Sequence, residues 1–155
     1  MSKEEKKDIL TKYEWERKNG RTEKFKNARE VVRRILEVNK EARNNDAVLQ
    51  HIFWTEVQGL DLNERKNYTD KAVNHNTIKR HRQRIQNNDH EFFPTDPEVI
   101  YKRCRLGNFT AEHVSEYYKF KNPTVIENFL DYINRRVEDG DITEEEAEKY
   151  FLFGE

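Results

Sequence analysis

The sequence predicts an all-α protein, a multi-helix bundle that contains a helix-turn-helix and ends in an acidic helical extension. Two observations support this fold class. Apolar residues recur at the three- and four-residue spacing of amphipathic helices, and most of these runs begin at a capping residue or end at a glycine. The only stretch with any resemblance to a strand is residues 91–93.

Composition limits both the core and the class of protein. Charged residues make up 38% of the 155 residues and hydrophobic residues 34%, so the core must be lean. Aromatic residues, at 12%, are too frequent for a disordered chain. A single cysteine, Cys104, excludes an internal disulfide and favours a reducing cytoplasm. No stretch approaches the roughly 20 apolar residues that a membrane span requires, and the charged N-terminus does not resemble a signal peptide.

The first predicted segment, residues 1–20, is a charged N-terminal helix. Ile9, Leu10 and Tyr13 share one helical face, and Asn19-Gly20 is typical of a helix C-terminal end. A helical domain over residues 21–107 follows. Its first helices are predicted over 28–43 and from the N-cap Asp46 to Gly59, and their two apolar stripes should pack as a helical hairpin.

The remaining helices have clear start and stop signals. A short helix is predicted over 63–71 and a basic helix over 74–88. Asp96-Pro97 opens a helix over 97–105, which Gly107 ends. Residues 108–155 form an acidic module with helices over 111–120, capped by Thr110, and from Pro123 to Gly140. A Thr143–Glu146 capping box opens the last helix, over 144–153.

The helix-turn-helix is predicted over residues 64–88. Ala72 takes the position of the small residue, Val73 that of the buried turn residue, and Asn74 that of the N-cap. Thr77-Ile78 and Ile85 are the expected inward anchors. Tyr68 and Lys71 stand where this motif usually has alanine and an apolar residue, so the first of the two helices fits the motif less well.

The second of these helices, NHNTIKRHRQRIQNN, is the main functional candidate. Ile78 and Ile85 can face a core, while the opposite side presents Lys79, Arg80 and Gln83 toward base edges. Arg82 and Arg84 would flank the helix and contact phosphates. The predicted DNA-binding residues are Asn74, His75, Asn76, Lys79, Arg80, Arg82, Gln83 and Arg84. A solvated basic face explains the same composition, and chemistry alone does not separate the two interpretations.

The charge of −1 hides a strong asymmetry along the chain. Residues 1–45 hold 14 basic and 9 acidic side chains, whereas residues 108–155 hold 5 and 12. A polyanion is therefore attracted to the first part and repelled by the last. The acidic module, which ends in the apolar letters YFLF, is predicted to bind a protein partner or to form a homodimer. Its alternative role is to close the domain as a pair of capping helices.

Catalytic and metal chemistry find little support in the sequence. The five histidines lack the spacing of known zinc motifs, no glycine-rich phosphate loop is present, and the acids of the tail are typical of surface charge. We therefore expect no enzyme, no cofactor and no metal. Trp54 and Tyr117-Tyr118 could stack on single-stranded nucleic acid, but core or interface roles are commoner for aromatic residues on helices.

Two segments carry a resemblance to known proteins. NTIKRHRQRIQN and FPTDPEV, within residues 28–105, resemble small, largely uncharacterised helix-turn-helix proteins encoded by phages and prophages of Gram-positive bacteria. The resemblance implies a regulatory, phage-related role with duplex DNA as the partner, and RNA is the alternative nucleic acid. The runner-up function is a phage accessory protein that binds and inhibits a host or defence protein through its acidic surface.

Overall fold

A computed structural model describes residues 13–16 and 22–151. Most of these residues are helical, which confirms the predicted all-α multi-helix class. The chain divides into two compact units, the first ending at Arg84 and the second beginning at Ile85. The predicted boundary at residue 107 thus lies inside the second unit.

The first unit contains a two-stranded sheet and the first four described helices. The strands are β1 (Tyr13–Glu16) and β2 (Thr22–Phe25), and the helices are α1 (Ala28–Val38), α2 (Lys40–Asn44), α3 (Asp46–Ile52) and α4 (His75–Gln83). Two π-helical segments accompany them, at Phe53–Val57, which continues α3, and at Asn67–Lys71. A third π-helical segment, Arg84–Asn88, begins at the last residue of this unit.

The antiparallel pair of β1 and β2 corrects the predicted N-terminal helix. Tyr13 pairs with Phe25 in register, and Tyr13 and Trp15 are buried while Glu14 between them is exposed. This alternation is the period of a half-buried strand. The Tyr13 ring meets the Phe53 ring edge-on at a centroid distance of 5.4 Å. The helix prediction is therefore wrong for residues 13–16, and its other residues lie outside the described ones.

Asparagines divide the next stretch into more helices than predicted. Asn39 ends α1 and caps α2, because its side chain accepts a hydrogen bond from the Ala42 N–H at 3.0 Å. The single helix predicted over 28–43 is therefore two. Asn45 caps α3 by accepting from the Ala47 N–H at 2.9 Å, so the predicted cap, Asp46, is instead the first helical residue.

Packing in the first unit centres on α1, α3 and α4, and α4 contacts both of the others. Their inward side chains are almost all aliphatic or aromatic. The fully buried ones are Val31, Val32, Ile35, Leu36, Leu49, Phe53 and Ile78. Burial of this apolar surface supplies most of the stability, at about 25 cal/mol per Å².

Two buried arginines of the first unit form hydrogen bonds or an ion pair within the protein. Arg43 donates from Nε to the carbonyl oxygen of Leu36 at 2.6 Å, which satisfies the open C-terminal end of α1. Arg82, whose side chain is 4% exposed, makes a bidentate pair with Asp46, with both N–O distances at 2.9 Å. This pair connects α4 to the first turn of α3.

The second unit contains α5 (Pro97–Arg105), α6 (Ala111–Tyr118), α7 (Pro123–Glu138) and α8 (Glu144–Phe151). Helix α7 packs against each of the other three. Its residues Val125, Phe129 and Ile133 are buried as predicted, and Ile126 and Leu130 are half-buried. Phe93 is fully buried in the same core, and its carbonyl oxygen accepts a hydrogen bond from the Tyr118 hydroxyl.

Most predicted helix signals of this unit are confirmed. Asp96 caps α5 by accepting from the Glu98 N–H at 2.9 Å, and Gly107 follows α5 with a φ of +81°. Thr110 caps α6 and Thr143 bonds the N–H of Glu146. The capping box of α6 uses His113 at its third position, which the sequence had not indicated. Residues 91–93 form no strand.

Loss of the Arg82–Asp46 pair should destabilise the first unit selectively. We expect Arg82→Ala to lower the free energy of unfolding by about 2–4 kcal/mol, because it leaves a partly buried carboxylate without its partner. Both tryptophans, Trp15 and Trp54, belong to the first unit, so urea unfolding followed by tryptophan fluorescence measures that unit. Arg84→Ala, at an exposed position one residue after α4, is the control. Equal urea midpoints for the two variants would contradict this role.

Cys104 should be chemically inert in the folded protein. Burial raises the pKa of the Cys104 thiol to about 12, so almost none of it is the reactive thiolate near neutral pH. We expect alkylation by iodoacetamide at mildly alkaline pH to be much slower for the native chain than for the urea-unfolded chain, as measured by mass spectrometry. Equal rates in the two states would show that the thiol is accessible and unshifted.

Candidate nucleic-acid interface

The turn before α4 is held by side chains of the segment that follows α3. Trp54 Nε1 donates to the Val73 carbonyl oxygen at 2.7 Å. Gln58 bonds the turn twice: its amide nitrogen donates to the Lys71 carbonyl oxygen, and its amide oxygen accepts from the Val73 N–H, each at 3.0 Å. The direction in which α4 leaves the turn is therefore fixed by three hydrogen bonds.

The first turn of α4 matches the prediction at all but one position. Asn74 caps the helix, with its Oδ1 accepting from the Asn76 N–H at 2.8 Å. Val73 is buried in the turn and Ile78 is fully buried. Thr77 was predicted to point inward with Ile78, but it is exposed, because one residue along a helix is rotated by about 100° from the next.

The side of α4 opposite Ile78 is polar and open to solvent. It consists of Asn76, Lys79, Arg80 and Gln83, which we call the outer face of α4. The first three are exposed and Gln83 is half-buried. At 3.6 residues per turn these four side chains occupy roughly a third of the helix circumference. The structure thus brings together two amides and two cations on one strip.

Four other predicted residues have different surroundings. His75 and Arg84 are exposed, as a contact with nucleic acid requires. The Asn74 side-chain oxygen is engaged in the cap, so this residue positions the helix rather than presenting a free acceptor. Arg82 was predicted to contact phosphates, and this is wrong: it is 4% exposed and paired with Asp46. Arg82 follows Ile78 by one helical turn and therefore lies on the buried side of α4.

His81 lies where the positive charges of two helices converge. Burial lowers the pKa of His81 below its ordinary value of 6.5, and the charges of Arg84, Arg29 and Arg80 lower it further. Arg29 belongs to α1, whereas Arg80 belongs to α4. Positive potential therefore extends from the outer face of α4 onto the start of α1, which is where an anionic backbone would be attracted.

Two further arginines of α1 differ in their surroundings. Arg33 is exposed, one helical turn after Arg29. Arg34 is half-buried and forms ion pairs with Glu23 and Glu37 at 2.8 and 2.7 Å. The exposed cations of α1 are therefore Arg29 and Arg33.

The first helix of the predicted helix-turn-helix differs from expectation. Residues 65–71 are helical, which agrees with the short helix predicted over 63–71, but Asn67–Lys71 is π-helical. Helix α4 packs mainly on α1 and α3. Tyr68 is 49% exposed, and its ring lies edge-on to Trp54. The helices that support α4 are therefore α1 and α3, rather than residues 64–71.

Formal charge divides between the two units. Residues 1–84 contain 21 lysines and arginines and 14 aspartates and glutamates, a net charge of +7. Residues 85–155 contain 8 and 16, a net charge of −8. The candidate interface thus lies in the cationic unit.

Other chemistry is sparse in the residues the structure describes. Over 13–16 and 22–151, no group of three or more histidine, cysteine or acidic side chains could hold a metal ion. The His90 and His113 rings stack at 3.8 Å between centroids, an arrangement in which their nitrogens do not converge. Trp54 and Tyr118 are buried, as expected for core residues, and Tyr117 is half-buried.

Comparisons with known proteins return no relative. No family model matches the chain, and neither a curated protein nor a solved structure matches it significantly. Within the described part of the chain, every helix is too short or too polar to cross a bilayer. The function must therefore be inferred from the side chains themselves.

The lowered pKa of His81 predicts a pH dependence of stability. In the unfolded chain His81 binds a proton near pH 6.5, but in the folded protein it binds one only at a lower pH. Stability should consequently fall as the pH drops below about 6.5. We expect the loss to be smaller in His81→Leu, measured by urea unfolding with tryptophan fluorescence at several pH values. Parallel curves for the two proteins would contradict this assignment.

Proposed function

We propose that this protein binds duplex DNA through the outer face of α4 and acts as a transcriptional regulator. The observation that carries the proposal is the division of α4 into two faces. Ile78 and Arg82 are used inside the fold, while amides and cations are grouped on the opposite side. The exposed side thus carries the side-chain types that a base-reading helix uses, on one continuous strip.

The outer face has the chemistry for reading base edges. Arginine and lysine donate to the O6 and N7 of guanine, and asparagine and glutamine bond the N6 and N7 of adenine. Lys79 and Arg80 are neighbours, and Asn76 and Gln83 lie on either side of them along the strip. The major groove is about 12 Å wide and accepts one α-helix.

Positive residues flank this strip on one edge. Arg84 follows α4 and Arg29 lies close enough to influence His81, and both are exposed. Contacts of this kind go to phosphates, where they add affinity without sequence information. The net charge of +7 on residues 1–84 also favours approach to a polyanion. Affinity should therefore fall steeply as salt increases.

The phage context and the regulatory role come from the resemblance of NTIKRHRQRIQN and FPTDPEV, and they belong to the same proposal. So does a homodimer, since paired recognition helices suit paired half-sites. Light scattering on the full chain tests the dimer directly. A monomer at all concentrations would remove it without affecting DNA binding by α4.

A second candidate function is supported by the acidic second unit. Its net charge of −8 includes three exposed acids in the first turn of α8, Glu144, Glu145 and Glu146. Such a surface could bind and inhibit a host or defence protein by occupying its nucleic-acid-binding site. This function would not depend on the outer face of α4, which makes the two candidates separable.

Fluorescence anisotropy of the full chain with duplex DNA, single-stranded DNA and RNA probes tests the proposal. We expect salt-dependent binding that is tightest for duplex DNA. Arg80→Ala combined with Gln83→Ala should weaken it by about 1–3 kcal/mol for each base-reading side chain that is removed. Lys40→Ala is the matched control, because Lys40 is exposed and follows the end of α1 remote from Arg29.

Three results would count against duplex-DNA binding by α4. These are no binding at low ionic strength, tighter binding of RNA than of duplex DNA, and equal weakening by Lys40→Ala and by the double variant. Circular dichroism of each variant establishes that the helices are intact. If the double variant retains binding of a protein partner but the chain never binds nucleic acid, the second candidate function replaces the first.

A further inference from the structure

A cleft in the second unit lies between α5 and α7 and has a volume of about 440 Å³. That volume lies in the range of sites for small organic ligands. The cleft has tyrosine rings on its wall and cations at its rim. The described lining residues are Glu98, Tyr101, Lys102, Arg105, Leu106, Tyr132 and Arg136.

Charge in this cleft is opposite to that of the unit around it. Lys102, Arg105 and Arg136 contribute three positive charges against the one negative charge of Glu98. The whole unit, in contrast, carries −8. Three of the unit's eight cations therefore line one small cavity, which indicates an anionic ligand.

The guanidinium of Arg136 is held ready for such a ligand. It lies 5.7 Å from the ring centroid of Tyr101 and 5.8 Å from that of Tyr132. A cation within about 6 Å of an aromatic ring centroid is attracted to the ring, which restrains the guanidinium while its N–H groups stay able to donate. An anion that binds there loses less conformational entropy than one that must first order the side chain.

Hydrogen bonding leaves donor capacity on the same group. Arg136 Nε is buried and has no hydrogen-bond partner among the described residues. Its ion pair with Asp141 is long, at 3.5 Å, and both side chains are at least a third exposed. The exposed part of the Arg136 side chain can therefore contact a ligand in the cleft.

The rim adds two exposed cations and an exposed leucine. Lys102 pairs with Glu98 at 3.2 Å, but both side chains are more than half exposed, so a ligand can displace this pair at little cost. Arg105 is exposed one turn after Tyr101. Leu106 is 76% exposed beside it and offers apolar surface to a ring or a sugar.

The tyrosine wall distinguishes this cleft from a simple anion site. Tyr132 is half-buried, and its ring lies 6.1 Å from that of Tyr101. Burial raises the pKa of Tyr132, although Arg136 opposes the effect, so its hydroxyl remains a donor at neutral pH. Aromatic side chains beside a phosphate-binding cation are the usual surroundings of a base and its phosphate.

We propose that this cleft binds a nucleotide, with the phosphate on Arg136, Arg105 and Lys102 and the base against the tyrosine wall. The sequence signal for the site is three pairs with helical spacing of four: Glu98 and Lys102, Tyr101 and Arg105, and Tyr132 and Arg136. The site belongs to the second unit and is independent of the proposed DNA contact.

Isothermal titration calorimetry of the full chain with ADP, adenosine and inorganic phosphate tests this site. We expect ADP to bind with a saturable dissociation constant in the micromolar to millimolar range, and adenosine and phosphate to bind at least about tenfold more weakly, which is about 1.4 kcal/mol each. Arg105→Ala and Arg136→Ala should each weaken ADP binding by a similar factor. Tyr132→Leu should weaken ADP while leaving phosphate unchanged.

Arg135→Ala is the matched control, since Arg135 is exposed, adjacent to Arg136 and absent from the cleft lining. It should bind ADP like the unchanged chain. Arg105 is exposed, so its variant keeps the test valid even if Arg136→Ala disturbs folding. Absence of ADP binding, equal effects of Arg135→Ala and Arg105→Ala, or phosphate binding as tight as ADP would overturn the proposal. Arg80→Ala should leave ADP binding intact, which separates this site from the DNA contact.

Discussion

The buried pair between Arg82 and Asp46 is the constraint on which the exposed chemistry of the first unit depends. Helix α4 has only a narrow inner side, because most of its residues are polar. A cation within that inner side would be unfavourable without a partner. Asp46 supplies one from the first turn of α3, where a carboxylate is also favoured by the helix dipole. The pair therefore fixes which residues of α4 turn outward.

This arrangement has an energetic cost as well as a structural use. Desolvation of two charges can offset their attraction, so an apolar pair of similar size could give equal stability. The ion pair adds directionality, since its bidentate geometry favours one alignment of the two helices. The hydrogen bonds from Trp54 and Gln58 to the preceding turn act in the same direction. Together, the ion pair and these hydrogen bonds orient the outer face of α4, although the apolar core beneath it is small.

Local signals predict the structure correctly where they act alone. The caps at Asn74, Asp96 and Thr110 depend on residues two or three positions apart, and the structure contains each of them. Prediction fails where a distant partner decides. Arg82 resembles any other cation of the basic helix because nothing local reveals Asp46. Likewise, the pairing of β1 with β2 is hidden by strands only four residues long, and an Asn-Gly pair is as typical of a β-hairpin turn as of a helix end.

The opposite charges of the two units have a consequence for the behaviour of the whole molecule. A net charge of −1 and an isoelectric point near 6.5 describe an almost neutral solute. At short range, however, each molecule offers a neighbour one strongly cationic and one strongly anionic body. In dilute buffer these molecules attract one another as zwitterions do, and added electrolyte screens the attraction. Solubility of this chain should therefore increase with salt at low ionic strength, and more steeply than for a protein of the same net charge whose charges are evenly mixed.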